Sequence, residues 1–521
     1  MKYIYYIAAT LLALLSGVVV LLICHHGAGL ESDTISYFRF PTTGELSDLP
    51  VHHGILYPIV LRLLVLAGAH LSSAAVLVNM FCAAATSATL FTLLLSVLPR
   101  TSLVSTSITT FLVSMSLPVL VAHSSAMSEP LFLMLIAIGI LYLIRALQHH
   151  STIMLFISAA AFALSSLTRY AGLSLVGAGC LSVFLFLNDK PLRRLVTAAV
   201  YGAIGSFPLF ALLILNKLKA GSATNRELVY HGLPADTLNE GASTIFSWFL
   251  PERIYIAFPI LAYVVTTTVM VVLILSCILG VRSKRANIGV LSLCTVSYLL
   301  FLALSISLFD VSIMLSQRML SPMALIIAPL LGVFIVSLNN STASRIAVAL
   351  AVAYMTSFTA YRAAGYVSKT YTTGTGYSSA VWSQSPLIKL IETVQNDYRF
   401  YSNAADAFYL RNTASTVAGI PWKQKSTSNR ELESFTMAYS AIKFSFGNKC
   451  TFLASVKLRY WPPYLASEES IVEDNHLITL ISSHDGTIYM STNNACANSI
   501  ITKAEQINAA YGESVLRIHR R

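Results

Sequence analysis

Apolar residues run in stretches of about twenty through the first 360 positions, the length at which a helix crosses a hydrocarbon core. About eleven such stretches are expected to span a membrane, at approximately 3–24, 71–98, 103–122, 128–147, 152–167, 171–187, 195–216, 257–280, 287–308, 319–338 and 344–361. A further segment, 54–69, is marginal for a crossing and reads as an interfacial or re-entrant helix. The first run is too long for a signal-peptide core and lacks a small-x-small site before Cys24-His25-His26, so it reads as a retained span. Beyond 361 the pattern changes. "TFLASVKL" is strand-like, "HLITLISSHDGTIYMS" reads as two strands around an Asp485-Gly486 turn, and "FYSNAADAFYLRNTAS" as a strand running into a helix. The expected architecture is a polytopic α-helical membrane bundle over 1–361, with external loops 24–70 and 217–256, followed by a soluble extracytoplasmic α/β domain over 362–521.

Composition agrees: of 521 residues 55% are hydrophobic and 11% charged, with mean hydropathy +0.69, against about 25% charged in a soluble domain. Lys2, Arg100, Arg145, the Lys190/Arg193/Arg194 and Arg282/Lys284/Arg285 clusters and Arg345 fall on one side of the expected spans. That side is cytoplasmic by the positive-inside rule, and an odd span count leaves the C-terminus outside. The Asn339 and Asn340 sequons then face the cytoplasm. The net charge of +11 includes this bias, and no basic stripe with interleaved aromatics indicates nucleic acid. Five of the seven cysteines lie in spans or at their ends; Cys450 and Cys496 lie in the external domain. A disulfide between these two and a pair of buried thiols are both open readings. No Cys/His spacing indicates a structural metal.

The opposite face collects the unusual residues. It holds "GLESDTISYFRF" with Glu31, Asp33 and Tyr37, the turns "HSSAMSEP" and "LTRYAG", the 217–256 loop and "LFDVSIMLSQR". Asp33, Glu129, Arg169, Asp310 and Arg318 all stand near outer helix ends, so one cavity could gather them. Arginine suits a phosphate, and a carboxylate suits the proton of an attacking hydroxyl. Plainer readings stand beside these. Asp33 in "S-D-T" fits a helix N-cap, Glu129-Pro130 a helix start, Arg169 a turn marker, Arg226 a solvated loop charge, and Arg318 a side chain reaching headgroups. Glu31 fits a solvated neighbour of Asp33, and the paired histidines fit interfacial residues.

The acid after the first span, "HHGILYP" (52–58), "SEPLF" (128–132), "LTRYAGL" (167–173) and "QRMLSPM" (317–323) together resemble the GT-C superfamily of integral membrane glycosyltransferases. The branch most resembled is that of protein mannosyltransferases and aminoarabinose transferases, the glycosyltransferase family 39-like group; "YSNAADAFYL" and "DGTIYM" resemble the external domain of bacterial members. The resemblance implies transfer of one sugar, with inversion, from a polyprenyl-phosphate donor to a hydroxyl of a glycan, glycolipid or protein acceptor; the compact loops point to a bacterial inner membrane. It implies Asp33 as base and no required cofactor, with a divalent metal at Glu31 and Asp33 as a weaker alternative. Contacts to substrate are implied for Glu31, Tyr37, His53, Tyr57, Glu129, Arg169, Tyr170, Arg226 and Arg318. Where the family commonly carries a proline, this chain has Gly54 or Ile55. A transferase of diphosphate-linked glycans, a lipid-linked sugar flippase and a non-catalytic scaffold remain open.

Overall fold

The computed structural model describes residues 2–50, 53–98, 103–338, 342–412, 414–447, 450–492, 494–512 and 514–519. His52, Arg100 and the Asn339 and Asn340 sequon positions lie outside them. The chain divides into two compact units, Met1–Ala28 with Ser36–Tyr371, and Gly29–Ile35 with Thr372–Arg521.

The first unit is helical. Its first helices are α1 (Lys2–Ile23), α2 (Thr34–Thr43), α3 (Leu56–Leu66), α4 (Leu71–Val97), α5 (Leu103–Ser114), α6 (Leu117–Ser124), α7 (Glu129–His149) and α8 (Thr152–Thr168). They are followed by α9 (Gly172–Phe186), α10 (Pro191–Ala220), α11 (Ala235–Ser247), α12 (Glu252–Ala257), α13 (Pro259–Arg282), α14 (Ala286–Leu308), α15 (Gln317–Leu338) and α16 (Thr342–Thr373). Each of the eleven apolar stretches is helical, but not all are equally long. Among the described residues, seven helices (α1, α4, α7, α10, α13, α14 and α16) are long and apolar enough to cross a membrane. The α5–α6 pair, bent by 51°, makes an eighth if counted as one span. The break falls at Ser116, extended at the N-cap of α6, with Pro118 in the first turn where its missing N–H goes unused. Helices α8, α9 and the Gln317–Leu331 part of α15 are shorter. By length and composition alone, the described helices account for seven or eight of the expected crossings. The 54–69 segment contains only the 11-residue α3, and α16 continues to Thr373, past the position 361 at which its apolar stretch ends.

Helix α7 is apolar around its whole circumference, and such a helix belongs at the centre of a bundle. Phe132, Leu133, Ile136, Ile140, Leu143 and Ile144 are all almost fully buried. Small residues set the close approaches. A Cβ at Gly139 would collide with the Phe162 ring, and one at Gly179 with the Tyr201 ring, the kind of contact that small residues permit between membrane helices.

The second unit is an α/β domain around a mixed six-stranded sheet. Its strands are β1 (Arg399–Ser402), β2 (Ala418–Gly419), β3 (Thr451–Val456), β4 (Leu477–Ser483), β5 (Gly486–Ser491) and β6 (Arg517–Ile518), in spatial order β2-β1-β3-β5-β4-β6. Parallel pairing of β1 with β2 and β3 gives way to antiparallel pairing elsewhere. The helices are α17 (Ala380–Gln384), α18 (Pro386–Val394), α19 (Ala405–Arg411), α20 (Phe435–Phe446), α21 (Glu468–Asp474) and α22 (Ala497–Tyr511). Strand alternation divides the core. Phe400 and Phe452 pack with α18, α19 and α22, whereas Tyr401 and Leu453 pack with α20 and α21. All six residues of β3 are buried, as a central strand covered on both faces requires. A Cys450–Cys496 disulfide ties the approach to β3 to the residue capping α22.

Candidate functional site

In the helical unit, three helix ends bring together charges far apart in sequence. Glu129 opens α7, Arg169 caps the C-terminus of α8, and Arg318 is the second residue of α15. Two of these positions suit the helix dipole, which favours an acid at an N-terminus and a cation at a C-terminus. The Glu129 carboxylate pairs with Nη1 of Arg169 and, at 3.2 Å, with Nε of Arg318. The Glu129 side chain is only 3% exposed and the two arginines about a fifth exposed (20% and 21%). One carboxylate thus shares two guanidinium groups.

The surroundings orient this cluster. Arg169 also donates from Nη2 to Sδ of Met319 at 3.1 Å, and the Tyr298 hydroxyl donates to the Met319 carbonyl at 2.7 Å. Tyr37 and Tyr298 both lie within electrostatic reach of Arg169. The Tyr37 hydroxyl shares a hydrogen bond of 3.1 Å with Oγ of Ser128, the residue before Glu129. Against the Tyr37 ring pack His53, at 5.2 Å between centroids, and Tyr57, edge-on at 5.4 Å. Tyr57 is fully buried, and its hydroxyl has no hydrogen-bond partner among the described residues. A buried phenol usually finds one, so this donor is available to a ligand.

Gly54 stands where two backbones come close. A Cβ there would strike the Leu167 and Thr168 carbonyls at the end of α8. Only glycine lets the 53–58 stretch pass so close to the backbone that carries Arg169.

Arg226 is in a second cluster. Its Nε lies 3.1 Å from Oδ2 of Asp310, which is 5% exposed, and Oδ1 of Asp310 accepts from the Ser312 amide and hydroxyl. Val229 and His231 donate backbone bonds to Leu308 and Ser307. Arg226 therefore ties the 217–256 loop to the end of α14, with Tyr170 within its electrostatic reach.

Glu31 and Asp33 belong to the α/β unit. Leu30 bridges to Gly376, and the Tyr377 amide donates to the Leu30 carbonyl at 2.8 Å. Asp33 is exposed. Among the described residues no group of three or more His, Cys, Asp or Glu is arranged to hold a metal ion.

Sequence reasoning missed Tyr298, Ser128 and Met319. The available signal for Tyr298 was a lone phenol inside the apolar run of α14, where a hydroxyl must find a partner. Nothing in the sequence distinguished Met319 from a packing residue.

No protein-family model matches the sequence, and no curated protein matches it either. Solved structures do. ArnT from Cupriavidus metallidurans bound to undecaprenyl phosphate superposes with a TM-score of 0.54 at 11% identity, covering 92% of this chain and 97% of that one. The chain has the GT-C fold. The Archaeoglobus fulgidus oligosaccharyltransferase in complex with Zn and sulfate gives 0.53 at 12% identity over 92% of this chain and 73% of that one. AglB from the same organism, with an inhibitory peptide and a dolichol-phosphate, gives 0.52 at 12% over 94% and 74%. At these identities the GT-C likeness is one of fold, extending over the helical bundle and the α/β domain.

Proposed function

We propose that this protein is a membrane glycosyltransferase that moves a single sugar from a polyprenyl-phosphate donor to an extracytoplasmic acceptor hydroxyl, with inversion. The observation that carries this reading is the buried Glu129 carboxylate shared by the Arg169 and Arg318 guanidinium groups at converging helix ends. Such a cluster suits an anion held at a helix-bundle mouth while its hydrocarbon chain stays in lipid. ArnT and AglB, which share the fold, are both solved with polyprenyl phosphates.

In the reaction, the acceptor oxygen attacks the anomeric carbon on the side opposite the phosphate. The bond between that carbon and the phosphate oxygen breaks, and polyprenyl phosphate leaves. Asp33 takes the acceptor proton, with Glu31 beside it. Arg169 and Arg318 stabilise the charge that grows on the leaving phosphate, and Glu129 fixes their orientation. The Tyr57 phenol donates to the bound donor, and Tyr37, His53 and Tyr170 border it. Arg226 orders the loop near Tyr170. The eleven apolar helices then all act as crossings, with the N-terminus cytoplasmic, the α/β domain extracytoplasmic, and the protein in a bacterial inner membrane. Residues 1–361 form the catalytic bundle and 362–521 the external domain.

Ligand binding tests the phosphate assignment. A ligand bound only by the folded protein stabilises it by about 2.7 kcal/mol at a hundredfold excess over Kd. Undecaprenyl phosphate is expected to raise the unfolding midpoint of the purified protein, whereas undecaprenol, which lacks the phosphate, raises it far less. Arg318→Gln is expected to abolish the difference. Equal effects of the two lipids would overturn the assignment.

A further inference from the structure

A base must lie within hydrogen-bond reach of the hydroxyl it deprotonates, so on the reading above the acceptor's reacting group meets Asp33. The surroundings of Asp33 within the α/β unit therefore carry information about the acceptor. Burial raises the Tyr464 phenol above its ordinary value, Arg459 pulls it back, and Asp406 and Asp33 add to the rise. Asp33 is thus within electrostatic range of Tyr464. Asp406 accepts from the Tyr377 hydroxyl at 2.9 Å and pairs with Arg459. The Trp422 ring lies against the Tyr464 ring, with centroids 4.9 Å apart.

These rings sit on two loops stitched together by backbone bonds. Trp422 bridges to Leu465, the Lys423 amide donates to the Tyr464 carbonyl at 2.8 Å, and the Ala466 amide donates to Pro421 at 3.0 Å. Pro462 and Pro463 stiffen the second loop. Trp422 is nonetheless 47% exposed. A pre-ordered aromatic pair, open to water and flanked by a carboxylate–guanidinium pair, matches a ring with apolar C–H faces and a rim of hydroxyls. The faces stack on the indole and phenol, and the rim exchanges hydrogen bonds with Arg459 and Asp406. The domain offers less to a peptide. Its sheet ends in the two-residue strands β2 and β6, too short to template an added strand.

We propose that Trp422, Tyr464, Arg459 and Asp406 form an acceptor subsite whose ligand is a carbohydrate ring, so that the acceptor hydroxyl belongs to a glycan or glycolipid rather than to a protein side chain. This inference rests on the proposed base Asp33.

The test uses the full-length protein in detergent and a panel of free mono- and disaccharides, including glucose, galactose, N-acetylglucosamine and lactose, titrated by isothermal calorimetry. At least one saccharide is expected to bind. Trp422→Ala and Tyr464→Ala are each expected to weaken it by about tenfold, as loss of an aromatic anchor does. Trp422→Tyr, which keeps a stacking face, is expected to retain most of the affinity. Unchanged stabilisation by undecaprenyl phosphate in the same variants shows that they are folded. It also separates this inference from the phosphate reading, which that lipid tests alone. No binding from the panel, binding indifferent to both alanine substitutions, or displacement of the sugar by serine- and threonine-containing peptides would overturn the proposal.

Discussion

Asp33→Asn is expected to lower sugar transfer by about 10²- to 10⁴-fold, the range contributed by a general base, while the protein stays folded and still binds undecaprenyl phosphate. Asp33 is exposed, and its carboxylate makes no hydrogen bond among the described residues, so the isosteric amide disturbs no packing. The substitution also decides between the two readings of "S-D-T". Asparagine caps a helix as well as aspartate does. A capping role would leave both stability and turnover nearly unchanged, whereas a base cannot be replaced by an amide that takes no proton. Glu31→Gln is expected to cost much less, because the Glu31 amide and carbonyl already serve a local turn with Thr34. The comparison is read from initial rates of the two variants, with their unfolding midpoints measured in parallel. Equal losses in both would move the base role off Asp33.

Glu129→Ala is expected to be the most destabilising single change in the helical unit. The carboxylate is buried and pairs with two arginines, at the end of α8 and the start of α15. Removing one partner of a buried pair costs about 3–5 kcal/mol; here two cations lose a shared carboxylate at once. The variant should unfold at a lower temperature. Undecaprenyl phosphate should restore part of the loss, since its phosphate supplies the missing negative charge. A purely structural cluster would show the destabilisation without that rescue, so thermal unfolding with and without the lipid separates the two roles.

Much of this architecture was legible in the sequence because the bilayer imposes a length and a polarity on each helix. The eleven apolar stretches are all helical, and the strands around Asp485-Gly486 fall where alternation and a turn pair predicted them. Helix length was less legible. Helices of 17 and 15 residues, α8 and α9, rise only about 22–26 Å, short of a core about 30 Å thick, and hydropathy alone does not mark that shortfall.

Partners were harder still to read. The sequence placed Glu129, Arg169 and Arg318 at one level, but a helix that is apolar all round gives no sign of which face meets which neighbour. Arg226 shows the cost of this. The sequence shows a loop cation, and its pairing with the buried Asp310 became visible only in the fold. Segment 29–35 belongs to the α/β unit through a backbone bridge to Gly376, an interaction that leaves no side-chain signature. Gly54 is the opposite case: a departure from the family pattern that becomes informative once the α8 carbonyls beside it are known.

The most direct test of the central claim is transfer of radiolabelled sugar in membranes containing this protein. A panel of polyprenyl-monophosphate sugars would be compared with the corresponding diphosphate-linked donors, with a cell-envelope extract as acceptor. Label passing from one monophosphate donor to the extract, and lost with Asp33→Asn, is the predicted result. Transfer only from diphosphate-linked donors, or none from any donor while labelled lipid changes leaflet, would contradict it.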